Sequence, residues 1–359
     1  MLPDGEPASD STDTGDKSQA GRTVQPKVEV ANEDSCKTLL NLGGTYNVYF
    51  IMDKPAPVPF SKGSLPVFTE AFEYEGVWYP PPVSPQILDK LKTFEVREDD
   101  LILSTYQKSG THWMQEILFL IQQDGHVEKI KRDVDPEING TLSFGLPPDF
   151  KKSLPDLLAT RPSPRIYITH LPAKHLPPQV WIKKPKVVYV TRDLKDACTS
   201  FYRFINANPG NESDVPWEMV FNNFISDKAL WGNWCDHALG YWELRNNGHV
   251  FFITFEEIKK DIRSVIRRLA TFLGATISPE GFERIVEHSS LEGMKKTYAK
   301  IEEEVENGRL YTRAFGLAPF IQTGVSGSWK GQFSEEQRER MDRMVKERLA
   351  GTGLDVYYP

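Results

Sequence analysis

Four short apolar runs limit what this chain can fold into: Leu101 to Ser104, Ile166 to Thr169, Val187 to Thr191 and Val250 to Thr254. None alternates apolar with polar residues, so none reads as a strand with one wet face; such runs belong to strands covered on both sides. Long connections with helical patterns separate most of them, which favours parallel pairing through helical crossovers. The expected fold class is α/β, a single domain built on a central parallel β-sheet flanked by helices. At 359 residues the chain has ample length for such a core. The main domain is expected over 67–359. Residues 1–35 read as a disordered acidic and polar tail, because they carry too little apolar surface to offset the entropy of ordering. Residues 36–66 form an extension of uncertain structure, in which the strand-like run Thr45 to Met52 is cut off by Pro55, Pro57 and Pro59.

Several helix signals surround the sheet runs. Pro85 to Lys92 is a short helix candidate. Ile258, Ile262, Val265, Ile266, Leu269 and Phe272 make one apolar helical face that ends at Gly274. Ser278-Pro279 and Ser334-Glu335-Glu336-Gln337 read as helix starts. The aromatic segment Trp217 to Trp242 and the stretch Phe144 to Phe150 are candidates for lining an apolar pocket, although helical faces packed on the core explain most of the Trp217 to Trp242 rings better, leaving a few for the pocket.

A net charge of -7 argues against nucleic acid as the main partner, since phosphate-backbone binding needs a basic face. Any anion site must then be local. The three cysteines, Cys36, Cys198 and Cys235, form no CxxC or metal-ligand cluster, so no metal is implied and a reducing compartment is expected. The first residues lack the basic-then-apolar pattern of a secretory signal and no run reaches membrane-spanning length, so the expected location is cytoplasmic, with no membrane partner. In that setting the sequons at Asn139 and Asn211 read as chance matches.

The loop after the first run, Thr105 to Glu116, has the order strand, polar turn, helix. Ser109, Gly110 and Thr111 fall where the helix must begin, so its unpaired N–H groups and dipole face whatever the loop holds, and Lys108 adds a full charge. That chemistry suits phosphate or sulfate, though the spelling is not the usual P-loop. An ordinary strand-to-helix turn with a solvated lysine is the competing reading. Doubly wound sheets bind ligands at the C-terminal ends of their strands. The other three ends are Thr169-His170-Leu171-Pro172, Thr191-Arg192-Asp193 with Ser200 on the helix beyond, and Phe255-Glu256-Glu257. A lone His170 is more often structural than catalytic, and Arg192 beside Asp193 reads equally as a surface ion pair. Convergence on one sheet edge raises both.

Lys108-Ser109-Gly110-Thr111 with Trp113, then Thr169-His170-Leu171-Pro172, then Val187 to Phe204, then Gly327-Ser328-Trp329-Lys330 resemble the cytosolic sulfotransferases in order and spacing, from about Phe72 to Arg348. The resemblance implies a sulfotransferase domain that moves a sulfuryl group from PAPS, 3′-phosphoadenosine 5′-phosphosulfate, to a hydroxyl or amine of a small-molecule acceptor. It implies a P-loop-like phosphosulfate-binding loop in which Lys108, Ser109, Gly110, Thr111, His112 and Trp113 contact the donor, with Lys108 also catalytic. Arg192 and Ser200 would take the 3′-phosphate, Phe255, Ser289 and Leu291 would lie at the adenine, and Gln322, Thr323 and Gly324 would form the late phosphate loop. His170 would be the general base, and no metal would be needed.

This chain departs from the family pattern at several of those positions. The usual YPK reads Tyr106-Gln107-Lys108, and His112 replaces a threonine. Ile168 stands where many members have a lysine, Phe255 replaces a tyrosine and Leu291 replaces the adenine-stacking phenylalanine. Gln322-Thr323-Gly324 replaces an Arg-Lys-Gly sequence, and losing two charge-assisted bonds would weaken donor binding by about 2 to 4 kcal/mol unless other cations such as Lys295 or Lys296 compensate. The family's dimer motif is altered at Lys330, Ser334-Glu335 and Glu339, which makes a homodimer through that segment doubtful. Two further readings stay open: a sulfotransferase-like binding protein with impaired PAPS use, and a P-loop kinase, which lacks the expected lysine spacing and an obvious magnesium-binding aspartate.

Overall fold

A computed structural model describes residues 66–81, 83–130, 142–143, 153–207, 214–306, 324 and 326–358. The expectations for residues 1–65, for the sequons at Asn139 and Asn211, for Phe144 to Phe150, and for Gln322 and Thr323 lie outside them. The four apolar runs form one parallel sheet. Its strands are β3 (Leu101–Thr105), β4 (Ile166–Thr169), β5 (Lys186–Thr191) and β6 (Val250–Thr254), in the order β4-β3-β5-β6. Registers of Ser104 with Thr169, Thr105 with Val190 and Thr191 with Thr254 bring all four C-terminal ends to one edge. The chain leaves β3 toward β4 on one side and returns to β5 on the other, so the loops after β3 and β5 flank the point where the winding reverses. Open sheets of this type leave a crevice there.

Alternate residues of the strands feed two cores. Leu101, Leu103, Val188, Val190 and Ile253 pack against the helices Thr111–Gln122 and Ile262–Leu273 through Met114, Ile117, Val265 and Leu269. Ile102 and Tyr189 point the other way, into a cluster rich in aromatic rings that includes Tyr79, Tyr106, Phe221, Trp234 and Tyr241. Most of the aromatic residues between Trp217 and Trp242 are therefore core. Among the described residues no helix is long and apolar enough to cross a membrane.

Two local departures from the sequence reading have clear causes. A small antiparallel hairpin, β1 (Phe72–Tyr74) and β2 (Val77–Tyr79), precedes the sheet. Its turn residues Glu75 and Gly76 both have positive φ, 48° and 77°, as a type I′ turn requires. The apolar face from Ile258 to Phe272 is not one helix. It is split into Phe255–Lys260 and Ile262–Leu273 because Asp261 leaves helical geometry and its side chain accepts from the Ser264 N–H, capping the second helix. Gly274 ends that second helix at φ 67°, and Ser278 and Ser334 cap the helices Pro279–His288 and Glu335–Leu349.

Candidate functional site

The loop after β3 is tight. The Ser109 N–H donates to the Tyr106 carbonyl at 3.2 Å, Lys108 has φ 62° and Gly110 has φ 99°, and the helix starts at Thr111. Ser109 is fully buried, and its Oγ has no hydrogen-bond partner. A buried hydroxyl without a partner is costly, so this one is an atom in need of a ligand oxygen or water. The Lys108 ammonium lies 4.1 Å from the centre of the Phe204 ring. Gly110 is required twice over: its φ is left-handed, and a Cβ there would come within 2.8 Å of the Phe255 ring. Gly110→Ala should lower stability by about 1 to 3 kcal/mol, read as a fall in the denaturant midpoint at unchanged m; an unaltered midpoint would show that the loop can relax around a side chain.

His170, just past β4, sits against the same loop. Its Nδ1 is 2.9 Å from the Thr105 carbonyl oxygen and 3.1 Å from Thr105 Oγ1. A carbonyl only accepts, so Nδ1 carries the proton and Nε2 keeps its lone pair. Thr105 Oγ1 also shares a 2.7 Å hydrogen bond with Thr111 Oγ1, which ties the first helical residue of the anion loop to His170. The ring meets Trp231 edge to face at 5.3 Å. Burial, with the Lys108 charge adding to it, pushes the imidazole pKa down to about 4, while the bond to Thr105 works in the opposite direction. His112, in the first turn of the helix after the loop, is pushed down to about 3 by burial and by the charges of Lys108 and His170. Both rings are neutral at physiological pH.

Arg192, after β5, is not the surface ion pair that its sequence neighbour Asp193 allowed. It is buried, its Nη1 donates to the Lys108 carbonyl at 3.3 Å, and its Nη2 lies 3.9 Å from Asp196. Asp193 instead caps the helix Leu194–Asn206, accepting from the N–H groups of Lys195 and Asp196. The Phe255 ring meets both the Arg192 guanidinium, 4.3 Å from its centre, and the Trp113 indole, with ring centres 5.2 Å apart. Trp113 Nε1 donates to the Ser289 carbonyl at 2.7 Å, so the Ser289 backbone, not its hydroxyl, meets the indole; that hydroxyl donates to the Ile285 carbonyl. Leu291 is 42% exposed, and its methyl groups are the nearest atoms to where a Gly324 Cβ would lie. Ser200 is half-buried on the helix Leu194–Asn206, which follows Arg192. Lys296, a candidate replacement cation, pairs with Glu292 on the surface.

Sequence reasoning missed the residues that support these. Lys259 Nζ donates to the Gly324 carbonyl, bringing a cation to the late loop. Asp196 accepts from the Gly327 N–H at 2.7 Å, the Ser328 hydroxyl at 3.1 Å and the Trp329 N–H at 3.2 Å, which accounts for the Gly-Ser-Trp motif. Lys259 and Asp196 carried no signal beyond charge at a helix end.

Comparison with known proteins places the chain. A family model described as a sulfotransferase domain matches residues 98–353. Sulfotransferase 1C2 of rabbit (Oryctolagus cuniculus) is 34% identical over 290 residues, covering 80% of this chain and 95% of the rabbit protein. The human (Homo sapiens) sulfotransferase 1C2 is 34% identical over 266 residues, covering 74% of this chain and 88% of its own length. The crystal structure of mouse sulfotransferase SULT7A1 complexed with PAP superposes with a TM-score of 0.65 at 28% identity, over 79% of this chain and 95% of the mouse chain. With the parallel sheet, the loop after β3 and this breadth of similarity in agreement, the chain belongs to the sulfotransferase family.

Proposed function

We propose that this enzyme transfers a sulfuryl group from PAPS to a hydroxyl or amine of a small aromatic or alicyclic acceptor, with His170 as general base. The observation that carries the reading is the Thr105 carbonyl bond to His170 Nδ1, which leaves an unprotonated Nε2 beside the Lys108 loop. In the reaction the acceptor oxygen or nitrogen forms a bond to sulfur as the bridging phosphate oxygen departs, and the acceptor proton goes to His170 Nε2. PAPS supplies an activated sulfuryl group, so the protein's task is in-line positioning and fixed positive potential. A nucleophile with a hard-to-remove proton needs a base at its side, and a neutral imidazole is suited to that.

Lys108 and the N–H groups at the start of the Thr111–Gln122 helix would hold the 5′-phosphosulfate, and the partnerless Ser109 hydroxyl would gain a phosphate or sulfate oxygen. Arg192 and Ser200 would take the 3′-phosphate, with Trp113 and Phe255 against the base. The reading is tested by transfer of radiolabelled sulfate from PAPS to a panel of phenols, steroids and amines; absence of product with every acceptor would sink it. The exposed aliphatic Leu291 supports a second reading, a sulfotransferase-like binder that uses PAPS poorly. Calorimetry with adenosine 3′,5′-bisphosphate separates the two, since binding near micromolar contradicts the second.

A further inference from the structure

Behind His170 lies a buried polar chain that the reaction itself does not use. His237, on the helix Trp234–Trp242, is 1% exposed, and its Nε2 is 3.0 Å from the His170 carbonyl oxygen. That oxygen can only accept, so His237 Nε2 carries a proton and Nδ1 is bare. The bare nitrogen is 2.9 Å from the Tyr189 hydroxyl, which must donate to it. The chain therefore runs in one direction, from Tyr189 O–H to His237 Nδ1 and from His237 Nε2–H to the His170 carbonyl. A parallel chain serves the next residue: Ser104 Oγ donates to Tyr241 Oη, which donates to the Leu171 carbonyl, each at 2.8 Å. Tyr189 and Tyr241 stack at 4.1 Å and hold the two chains side by side.

Burial keeps His237 neutral, pushing it down to about 3, so the ring neither gains a proton nor reverses its direction at working pH. Its donated bond holds the carbonyl end of the peptide that follows His170, while the N–H end of the same peptide donates to Thr169 Oγ1 at 3.1 Å; a peptide held at both ends steadies the backbone from which the imidazole reaches the Thr105 carbonyl through Nδ1. We infer that His237 is a positioning residue, set in its donor tautomer by Tyr189, whose bond to the His170 carbonyl keeps His170 in the Nδ1–H form with Nε2 ready to accept a proton. This rests on the reading of His170 as the base.

The test compares His237→Gln, His237→Asn and His237→Phe in the full chain. A glutamine amide can reach the place of Nε2 and donate to the carbonyl; asparagine is too short, and phenylalanine keeps the volume without a donor. Two readouts are used: histidine ¹H–¹⁵N NMR, with the His170 signals assigned by their loss in His170→Ala, and the kcat and KM for PAPS with any acceptor that is turned over. The expected result is a single Nδ1–H form of His170 in the native protein and in His237→Gln. His237→Asn and His237→Phe should show a tautomer mixture and a kcat lower by about 10- to 100-fold, with KM for PAPS within about twofold. Tyr189→Phe should fall between. Should His237→Phe fail to fold, the Gln and Asn pair decides alone. Unchanged tautomer and kcat in Asn, or equal losses in Gln and Asn, would overturn the inference. Undiminished turnover in His170→Ala would instead overturn the base assignment, whatever His237 does.

Discussion

Replacing His170 with alanine is expected to cut kcat by about 10²- to 10⁴-fold while leaving the KM for PAPS nearly unchanged, the pattern of a lost proton acceptor. The split follows from geometry: the ring bonds to Thr105 and packs on Trp231, whereas the proposed donor contacts come from the Lys108 loop and Arg192. The pH profile gives a second check. The native imidazole is held down to about 4, so kcat/KM should be level from neutral pH toward roughly pH 5 and fall only below it, and the acid limb should vanish in the alanine variant. A native limb at the ordinary histidine value near 6.5 would show that burial does not hold the ring neutral. Stability moves differently over the same range. His112, His170 and His237 are neutral in the folded protein well below the pH at which the unfolded chain protonates, so the stability they contribute is full above about pH 6.5 and declines as pH falls toward 4 and then 3. Rates below pH 6 must therefore be paired with unfolding midpoints.

Lys108→Ala should weaken donor binding and cut turnover further still. With Gln322 and Thr323 in place of the family's two cations, and Lys259 the cation that reaches the Gly324 carbonyl, the proposed donor site would lean heavily on the Lys108 ammonium. Losing one charge-assisted contact to phosphosulfate should weaken adenosine 3′,5′-bisphosphate binding by about 10- to 100-fold and turnover by more, because charge on the bridging oxygen grows toward the transition state. Lys108→Met is the control. It keeps an aliphatic stem over Phe204, so the same loss in Met and Ala assigns the effect to charge, and wild-type affinity in Met would assign it to packing.

The sheet could be read from the sequence because strands buried on both faces leave unbroken apolar runs, and the four runs match the four strands to within a residue. The loop after β3 was legible because a helix start with a lysine has local grammar. The β1–β2 hairpin was not read: each strand has three residues, too few for a period, and its signal was only the Glu75-Gly76 pair. Asp261 leaves no mark in the apolar pattern, since a cap inside an apolar repeat does not disturb the repeat. His237 and Tyr189 gave no signal at all. A histidine near tryptophans reads as core, and the direction of its hydrogen bonds depends on residues 48 and 67 positions away in the chain.

Asp196 has a further consequence for how a nucleotide would be captured. Its carboxylate is already held by three donors from the Gly327 to Trp329 segment while it lies 3.9 Å from Arg192. The guanidinium is thus aimed by an anion built into the fold, and much of its side-chain freedom has been lost before any ligand arrives. An arriving phosphate would meet a clamp already set, and the association would be spared most of the ordering cost that a free arginine imposes. Since that anion is anchored elsewhere, it can yield part of the guanidinium without leaving its place, and the grip can pass from protein to ligand with little rearrangement.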